Sequence, residues 1–175
     1  MALRQILTEP NRILRQKSLK VEKVDEELQM LMNDMTETMY AAPGIGLAAI
    51  QVGVPKRVIV IDISQKEGIK NPMYFINPEI IIKSKNNSIY EEGCLSVPGQ
   101  FAEIERPENC HVKYLDYYGQ PKEIKAKGML ATCIQHEMDH LEGILFIDYL
   151  SKLKKTMIIK KLSKQKRTPV ERIVV

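Results

Sequence analysis

The chain has 175 residues, enough to bury one sizeable core, and this length fits a single domain over residues 1–175. Hydrophobic residues make up 44% and charged residues 27%, and because no apolar run approaches the roughly 18 residues that span a bilayer, a membrane-spanning protein is excluded. The net charge of +4 combines a mildly acidic body with a basic segment, and three cysteines without framework spacing favour a reducing cytoplasm over a disulfide scaffold.

The first predicted element is a helix that begins after Asp25, a residue type that serves well as an N-cap. Its apolar residues recur at helical spacing and indicate one buried face, formed by Leu28, Leu31, Met32, Met35 and Met39. Pro43 and Gly44 are expected to end this helix.

A glycine-rich segment, residues 43–53, follows the helix. Gly44, Gly46 and Ala49 satisfy the G-x-G-x-x-A dinucleotide fingerprint, which needs a strand before it and a helix after it. Here a helix precedes the segment and a strand-like run follows, so the nucleotide interpretation is weak. A loop in which small residues let a substrate backbone approach, with Gln51 supplying an amide donor, fits the pattern better.

The middle of the chain reads as a series of short strands bounded by turn residues. These runs cover residues 58–63, 74–82, 88–92, 101–105, 112–117 and 122–127. A helix is predicted next over residues 129–141, and Gly143 is its expected stop. Strands followed by helices in this order predict the α+β class.

The helix at residues 129–141 carries the sequence His-Glu-x-x-His. An α-helix turns once every 3.6 residues, so His136 and His140 lie on one face and can hold one transition-metal ion. Glu137 falls beside them, where it can exchange protons with water at the metal. A surface helix with two histidines four residues apart is the alternative. Because the chain has three histidines in all, this spacing favours the metal site.

A catalytic site of this kind usually has a third protein ligand and one open position. The metzincin extension of the motif needs a His where this chain has Phe146, and a downstream Glu would have to be Glu171, in a Pro-containing tail. Cys133 shares the helix face but lies roughly 7.5 Å along the axis from the level of the metal, beyond the reach of its side chain. Cys110 starts a strand, where a free cysteine is commonly a small buried hydrophobe.

Cys94 is the better candidate for the third ligand. It follows Gly93 and precedes a Pro98-Gly99 turn, so the backbone can bend and bring the thiol close to another element. A cysteine without a ligand role in this loop is the alternative.

The basic segment, residues 152–167, contains eight Lys and Arg residues and no acidic one. It predicts a C-terminal helix with lysines on one side and an apolar stripe on the other, formed by Leu150, Leu153, Met157, Ile158 and Leu162. The exposed lysines suit either a solvated surface or contact with a polyanion such as RNA. We expect no sequence-specific binding of nucleic acid and no membrane contact.

Three motifs in order, GIGLAAIQ, EGCLS and QHEMDHLEG, closely resemble those of peptide deformylase. The resemblance extends from the Ile6–Pro10 stretch to about Asp148, and it implies one domain with antiparallel sheets packed around a central HExxH helix. One departure is visible, because many family members carry an Arg shortly after EGCLS where this chain has Phe101. A charge-based contact with the substrate backbone is therefore not expected there.

The resemblance implies a hydrolase that removes the formyl group from the N-terminal formylmethionine of new polypeptides and releases formate. Cys94, His136 and His140 are then the metal ligands, and Glu137 takes the proton of the attacking water and delivers it to the leaving amine. The metal, the Gln51 side-chain amide and the Leu95 backbone N–H are expected to stabilise the formyl oxygen. Gln51, Leu95 and Glu137 are therefore the expected catalytic residues.

Substrate binding is implied for three further positions: backbone hydrogen bonding for Gly46, and the methionine pocket for Met129 and Cys133. Simple core packing is nearly as good an explanation for the last two. Glu92 and Arg106 are expected to pair and hold the Cys94 loop, although a solvated ion pair is the alternative.

The resemblance implies one divalent ion per chain, with Fe²⁺ expected and Zn²⁺, Ni²⁺ or Co²⁺ compatible with the purified protein. Two other classes stay open at this stage. A metallopeptidase that cleaves peptide bonds would share His136, Glu137 and His140 but would leave Gln51 and Cys94 unexplained. A structural metal module usually has four protein ligands, and only three good ones are found here.

Overall fold

The computed structural model describes residues 2–64 and 68–165. In this part of the chain lie three α-helices and seven strands. The helices are α1 (Glu26–Ala41), α2 (Gly128–Leu141) and α3 (Lys152–Gln165). The strands are β1 (Gly46–Ala48), β2 (Val58–Ile61), β3 (Met73–Lys83), β4 (Asn87–Cys94), β5 (Val97–Pro107), β6 (Asn109–Leu115) and β7 (Pro121–Lys127). Short 3₁₀ helices cover Arg12–Arg15, Ala49–Val52 and Phe146–Tyr149.

The strands form two antiparallel sheets, as predicted. One has five strands in the order β1-β2-β3-β6-β7, and the other is the β4–β5 hairpin. The α+β class and the central position of the HExxH helix are confirmed, because α2 packs against strands of both sheets. Among the described residues, no helix is long and apolar enough to cross a membrane.

Strand β2 shows why the five-stranded sheet lies between helices. All four of its residues are buried, and successive side chains of a strand point to opposite faces. Ile59 and Ile61 therefore pack with α2 in one core cluster, whereas Val58 and Val60 pack with α1 in another. Both faces of the sheet are therefore covered, one by α2 and the other by α1. Most residues of α2 are buried.

The predicted helix start at Asp25 is confirmed, because its side chain accepts a hydrogen bond from the Leu28 N–H at 3.0 Å. The expected loop over the glycine-rich segment was wrong in part. Gly46–Ala48 forms β1 at the edge of the large sheet, and the 3₁₀ helix Ala49–Val52 follows it directly. A three-residue strand is too short to display the alternation that identifies strands in a sequence.

The C-terminal helix is present, but its predicted apolar stripe was too wide. Ile158 and Leu162 pack with Phe146 in a third core cluster under the β4–β5 hairpin. Leu153 and Met157 instead face solvent, with exposed fractions of 72% and 52%. Of the basic segment, residues 166–167 lie outside the described residues, as does Glu171.

Candidate active site

Cys94, His136 and His140 converge although they come from separate parts of the chain. The hairpin turns back directly after Cys94, which pairs with Val97, and this turn brings the thiol to α2. The Sγ atom of Cys94 lies 3.3 Å from Nε2 of His140, and one ligand atom from each of the three residues lies within 4.8 Å of the others. The convergence expected from the sequence is therefore present in the structure.

The donor set fits a transition-metal ion. Thiolate and imidazole ligands suit zinc and ferrous iron, and both imidazoles are buried away from competing solvent. Buried polar atoms normally have hydrogen-bond partners. Nδ1 of His140 and Oε2 of Glu137 nevertheless have none among the described protein atoms. The geometry can hold a metal, and it leaves the Glu137 carboxylate oxygen free of any protein donor.

Behind His136 stands a buried ion pair. Oε2 of Glu92 lies 2.8 Å from Nδ1 of His136, and Arg106 holds the same carboxylate through Nε at 2.6 Å and NH2 at 3.0 Å. Burial alone would raise the pKa of Glu92, but hydrogen bonds with His136 and Arg106 lower it below its ordinary value. The expected Glu92–Arg106 pair is thus present. It is buried rather than solvated, and it also contacts a predicted ligand.

Asp139 extends this pair toward the surface. Its Oδ2 atom accepts hydrogen bonds from NH1 of Arg106 and from the Tyr149 hydroxyl, each at 2.8 Å. The guanidinium of Arg106 also lies over the Tyr149 ring, 4.9 Å from its centroid. Asp139, the second x of the HExxH motif, therefore holds Arg106, and Arg106 in turn holds the Glu92 carboxylate that contacts His136.

Glu137 is buried beside the two histidines, and burial raises its pKa to about 7 even though the neighbouring His136 opposes the shift. A carboxyl group with a pKa near neutral suits proton transfer in either direction. Its side chain lies directly against Gly46: a Cβ atom added there would be 2.4 Å from Oε1 of Glu137 and 3.0 Å from Sγ of Cys133. A side chain at position 46 would therefore have to displace the carboxyl group of Glu137.

Gln51 is held in a fixed orientation by both ends of its amide. Its Oε1 atom accepts a hydrogen bond from the Ala48 N–H at 2.8 Å, and its Nε2 donates to the Ser96 hydroxyl at 3.0 Å. Nε2 also lies 3.6 Å from Sγ of Cys94. Because Oε1 is occupied by a backbone donor, the N–H side of the amide must face the cysteine.

A cavity of about 490 Å³ opens beside these groups. Its lining includes eight of the nine residues singled out from the sequence: Gly46, Gln51, Cys94, Leu95, Met129, Cys133, His136 and Glu137. His140, the ninth, lies behind Cys94 and is almost fully buried. Most of the lining is apolar, which suits an aliphatic side chain such as that of methionine.

Sequence reasoning missed some of the lining. Tyr90 and Thr132 contribute to the cavity, and Ser96 holds Gln51. Ser96 belongs to the EGCLS motif and could have been found there, whereas Tyr90 and Thr132 carry no local signal. Phe101 lines the cavity mouth with 65% of its surface exposed, and its ring packs where a side chain at Gly93 would stand.

The fold and this site together define a metal-dependent hydrolase built on an HExxH helix with a cysteine as third ligand candidate. The family model described as Polypeptide deformylase matches residues 3–156. The chain belongs to the polypeptide deformylase family. The resemblance of the three motifs is confirmed, and with it the enzyme class, a hydrolase that removes the N-formyl group of polypeptides.

Individual relatives agree over nearly the whole chain. The peptide deformylase of Pelagibacter ubique is 69% identical over 168 residues, which cover 95% of this chain and 96% of the relative. That of Phenylobacterium zucineum is 59% identical over 164 residues, covering 94% and 97%. A crystal structure of peptide deformylase from Ehrlichia chaffeensis in complex with actinonin matches with a TM-score of 0.91 and 47% identity, covering 96% of this chain and all of that one.

Proposed function

We propose that this chain deformylates the N-terminal formylmethionine of newly synthesised polypeptides at the cavity beside α2, with Cys94, His136 and His140 as the ligands of one divalent ion. The observation that carries this assignment is the meeting of the Cys94 thiol with both imidazoles at one end of an apolar cavity. Ferrous iron is the proposed ion, with zinc, nickel and cobalt as replacements that the same ligand set accepts.

A bound ion of this kind polarises a carbonyl oxygen and makes water acidic enough to attack at neutral pH. Glu137 accepts the proton of the attacking water on Oε2, which has no hydrogen-bond donor among the described residues. When the C–N bond of the formamide breaks, Glu137 delivers that proton to the departing amine, and formate is released. The pKa of Glu137, raised to about 7 by burial, supports both halves of this transfer.

The oxygen of the formyl group gains negative charge during attack and needs hydrogen-bond donors. We assign this role to the Nε2 amide of Gln51 and the backbone N–H of Leu95, which both line the cavity next to Cys94. Gln51 is supported as a donor because the Ala48 N–H fixes its orientation before substrate arrives. Leu95 follows the third ligand directly in the turn of the hairpin.

For the rest of the substrate we assign backbone hydrogen bonding to Gly46 and contact with the methionine side chain to Met129 and Cys133. Gly46 belongs to β1 at the edge of the large sheet, where an extended peptide can pair with it. Met129 and Cys133 lie one helical turn apart on α2, and both line the cavity.

Release of formate separates this proposal from peptide-bond cleavage by a related HExxH site. The protein, loaded anaerobically with Fe²⁺ or with Zn²⁺, is incubated with formyl-Met-Ala-Ser, acetyl-Met-Ala-Ser and Met-Ala-Ser. We expect formate from the first peptide and no change in the other two, with iron the more active ion. Cleavage of Met-Ala-Ser would support the peptidase instead, and greater activity with zinc would contradict the assignment of iron.

The substrate emerges from ribosomes, so the proposed place of action is the cytoplasm and α3 is the proposed ribosome contact. Five of its lysines are exposed, and the four chosen for the test are Lys152, Lys154, Lys160 and Lys161. Clustered exposed lysines are drawn to RNA phosphates with an affinity that falls steeply as salt rises.

Co-sedimentation with ribosomes at low and moderate salt tests this contact. A variant with these four lysines changed to Gln should sediment less. The matched control changes Lys83, Lys85, Lys122 and Lys125, which are exposed on the large sheet or the loop after β3, so that the net charge falls equally. Equal behaviour of both variants would return α3 to a merely solvated surface.

A further inference from the structure

Asp62 joins three parts of the chain at the end of β2 and is only 1% exposed. Its Oδ2 atom accepts hydrogen bonds from the Tyr40 hydroxyl at 2.6 Å and from the Asn71 N–H at 2.8 Å, while Oδ1 accepts from the Ser64 N–H at 2.9 Å. Burial would raise the pKa of Asp62, but these hydrogen bonds, led by Ser64 and Tyr40, lower it. The group is therefore a carboxylate at neutral pH.

The same residue fixes a wall of the active-site cavity. Residues 42–45 connect α1 to β1, and all four line the cavity. Tyr40, in the last turn of α1, is tied to the Asp62 carboxylate just before this connection, and the Asp62 backbone N–H donates to the Ile45 carbonyl at 2.9 Å just before it ends. One residue thus holds both ends of the wall.

The position of this wall reaches the proposed chemistry through Gly46. Gly46 follows the wall directly, pairs with Ile61 of β2, and lies so close to Glu137 that no Cβ atom fits between them. A wall displaced by a few tenths of an ångström would therefore alter both the backbone that meets the substrate and the space beside the acid.

We propose that Tyr40 and Asp62 form a positioning pair that sets the cavity wall at residues 42–45, and with it Gly46, for substrate binding. Neither side chain lines the cavity, so the pair acts through the wall and not on the reacting atoms. The inference rests on the proposed function for its readout. A pair that serves stability alone would change the melting temperature and leave the Michaelis constant as it is.

Tyr40→Phe is the first test because it removes one hydroxyl and keeps the ring, which also contacts Lys70. Asp62 Oδ2 keeps its hydrogen bond from Asn71, so no buried charge is left without a donor. We expect KM for formyl-Met-Ala-Ser to rise about 3–10-fold, the range that one hydrogen bond can supply. We expect kcat to change less than about 2-fold, and calorimetry should show the same weakening for the product Met-Ala-Ser.

Tyr117→Phe is the matched control. The Tyr117 hydroxyl donates to Oδ1 of Asn33 in α1 at 3.2 Å, and both tyrosines pack against the same core cluster. The ring of Tyr117 lies against Tyr74 and Tyr118, which do not belong to the wall. The control should lose a similar amount of thermal stability with KM unchanged. If Tyr40→Phe and Tyr117→Phe lower the melting temperature equally and neither changes KM, the proposed positioning is wrong.

A double-mutant cycle separates a pair from two independent residues. Asp62→Asn should raise KM more than Tyr40→Phe does, because it also weakens the contact with Ser64. The double variant should be no worse than Asp62→Asn alone, since groups that act as one unit are not additive. Additive effects would overturn the pairing. A wild-type protein that released no formate would contradict the proposed function itself, a distinct outcome.

Discussion

Nδ1 of His136 lies 2.8 Å from Oε2 of Glu92. Arg106 donates hydrogen bonds to both oxygens of the same carboxylate. An ionised carboxylate only accepts hydrogen bonds, so Nδ1 must carry the proton and Nε2 is left as the ligand atom. Glu92, which is not itself a proposed ligand, thus fixes the tautomer of His136.

Removing the carboxylate charge should weaken metal binding. Glu92→Gln is expected to lower metal affinity about 10–100-fold, the usual effect of losing a partner that orients a ligand histidine. Competition with a chelator of known affinity measures it. Glu103→Gln, an exposed change on the same hairpin, is the control. Equal affinities for the two variants would show that His136 needs no orienting partner.

The ligand set itself is tested by five cysteine and histidine variants. Cys94→Ala, His136→Ala and His140→Ala should each lose bound metal, because only three protein ligands are proposed. Cys110→Ala and Cys133→Ala should retain it. Metal analysis of the purified proteins decides, and full metal content in Cys94→Ala would refute its place as third ligand.

Glu137→Gln should keep the metal and lose turnover, because an amide cannot take a proton from water. The expected loss in kcat is at least about 10²–10⁴-fold. Formate release under single-turnover conditions measures it on protein whose metal content has been determined. Near-normal rates from the loaded variant would remove Glu137 from the proton transfer.

Gln51→Leu should lower kcat by about 10²–10³-fold, with KM changed much less. Leucine also leaves the Ala48 N–H without its acceptor, so a second variant is needed. Gln51→Glu keeps an acceptor for Ala48 and replaces the donor with a carboxylate oxygen, so it should lose at least a similar factor in kcat. A rise in KM alone, in both variants, would make Gln51 a binding residue instead.

Asp148 should make the stability of the fold depend on pH. Burial would raise its pKa, but hydrogen bonds with Lys155, Leu145 and Arg15 hold it below the ordinary value of 3.8. A carboxyl group with a lowered pKa stabilises the folded state at pH values above its pKa in the unfolded chain. That contribution disappears as the pH falls through the pKa of the folded state.

Asp148→Asn should therefore lower the melting temperature at pH 7, by about 2–4 °C for each kcal/mol lost in a chain of this size. The difference from wild type should shrink below about pH 4. Thermal unfolding from pH 3 to 7 measures it. Asp25→Asn is the control, since Asn serves equally well as an N-cap. A difference that stays the same from pH 7 to pH 3 would show that lost packing, not charge, is responsible.

The sequence predicted best what depends on local spacing. His136, Glu137 and His140 lie within one helical turn and a half, so the helix period alone places them together. The choice of Cys94 as third ligand required elimination of the other cysteines and a family resemblance. No helical or strand periodicity in the sequence shows that a hairpin turn packs on α2.

Two failures have the same physical origin. Leu153 and Met157 fit the helical stripe of α3, but the core below that helix is narrower than the stripe and leaves them exposed. The Tyr40–Asp62 contact spans 22 residues and depends on how α1 and β2 pack, which no local pattern encodes.

Cys94 and His140 meet across 46 residues of chain, and in an unfolded polypeptide they are far apart on average. The complete set of proposed ligands therefore comes together only after the hairpin has packed on α2, so we expect metal affinity to be a property of the folded state. A bound ion would therefore link the β4–β5 hairpin to α2. At a free concentration of about 100 times its dissociation constant such an ion would add about 2.7 kcal/mol to the free energy of unfolding, so we expect metal removal to lower the melting temperature as well.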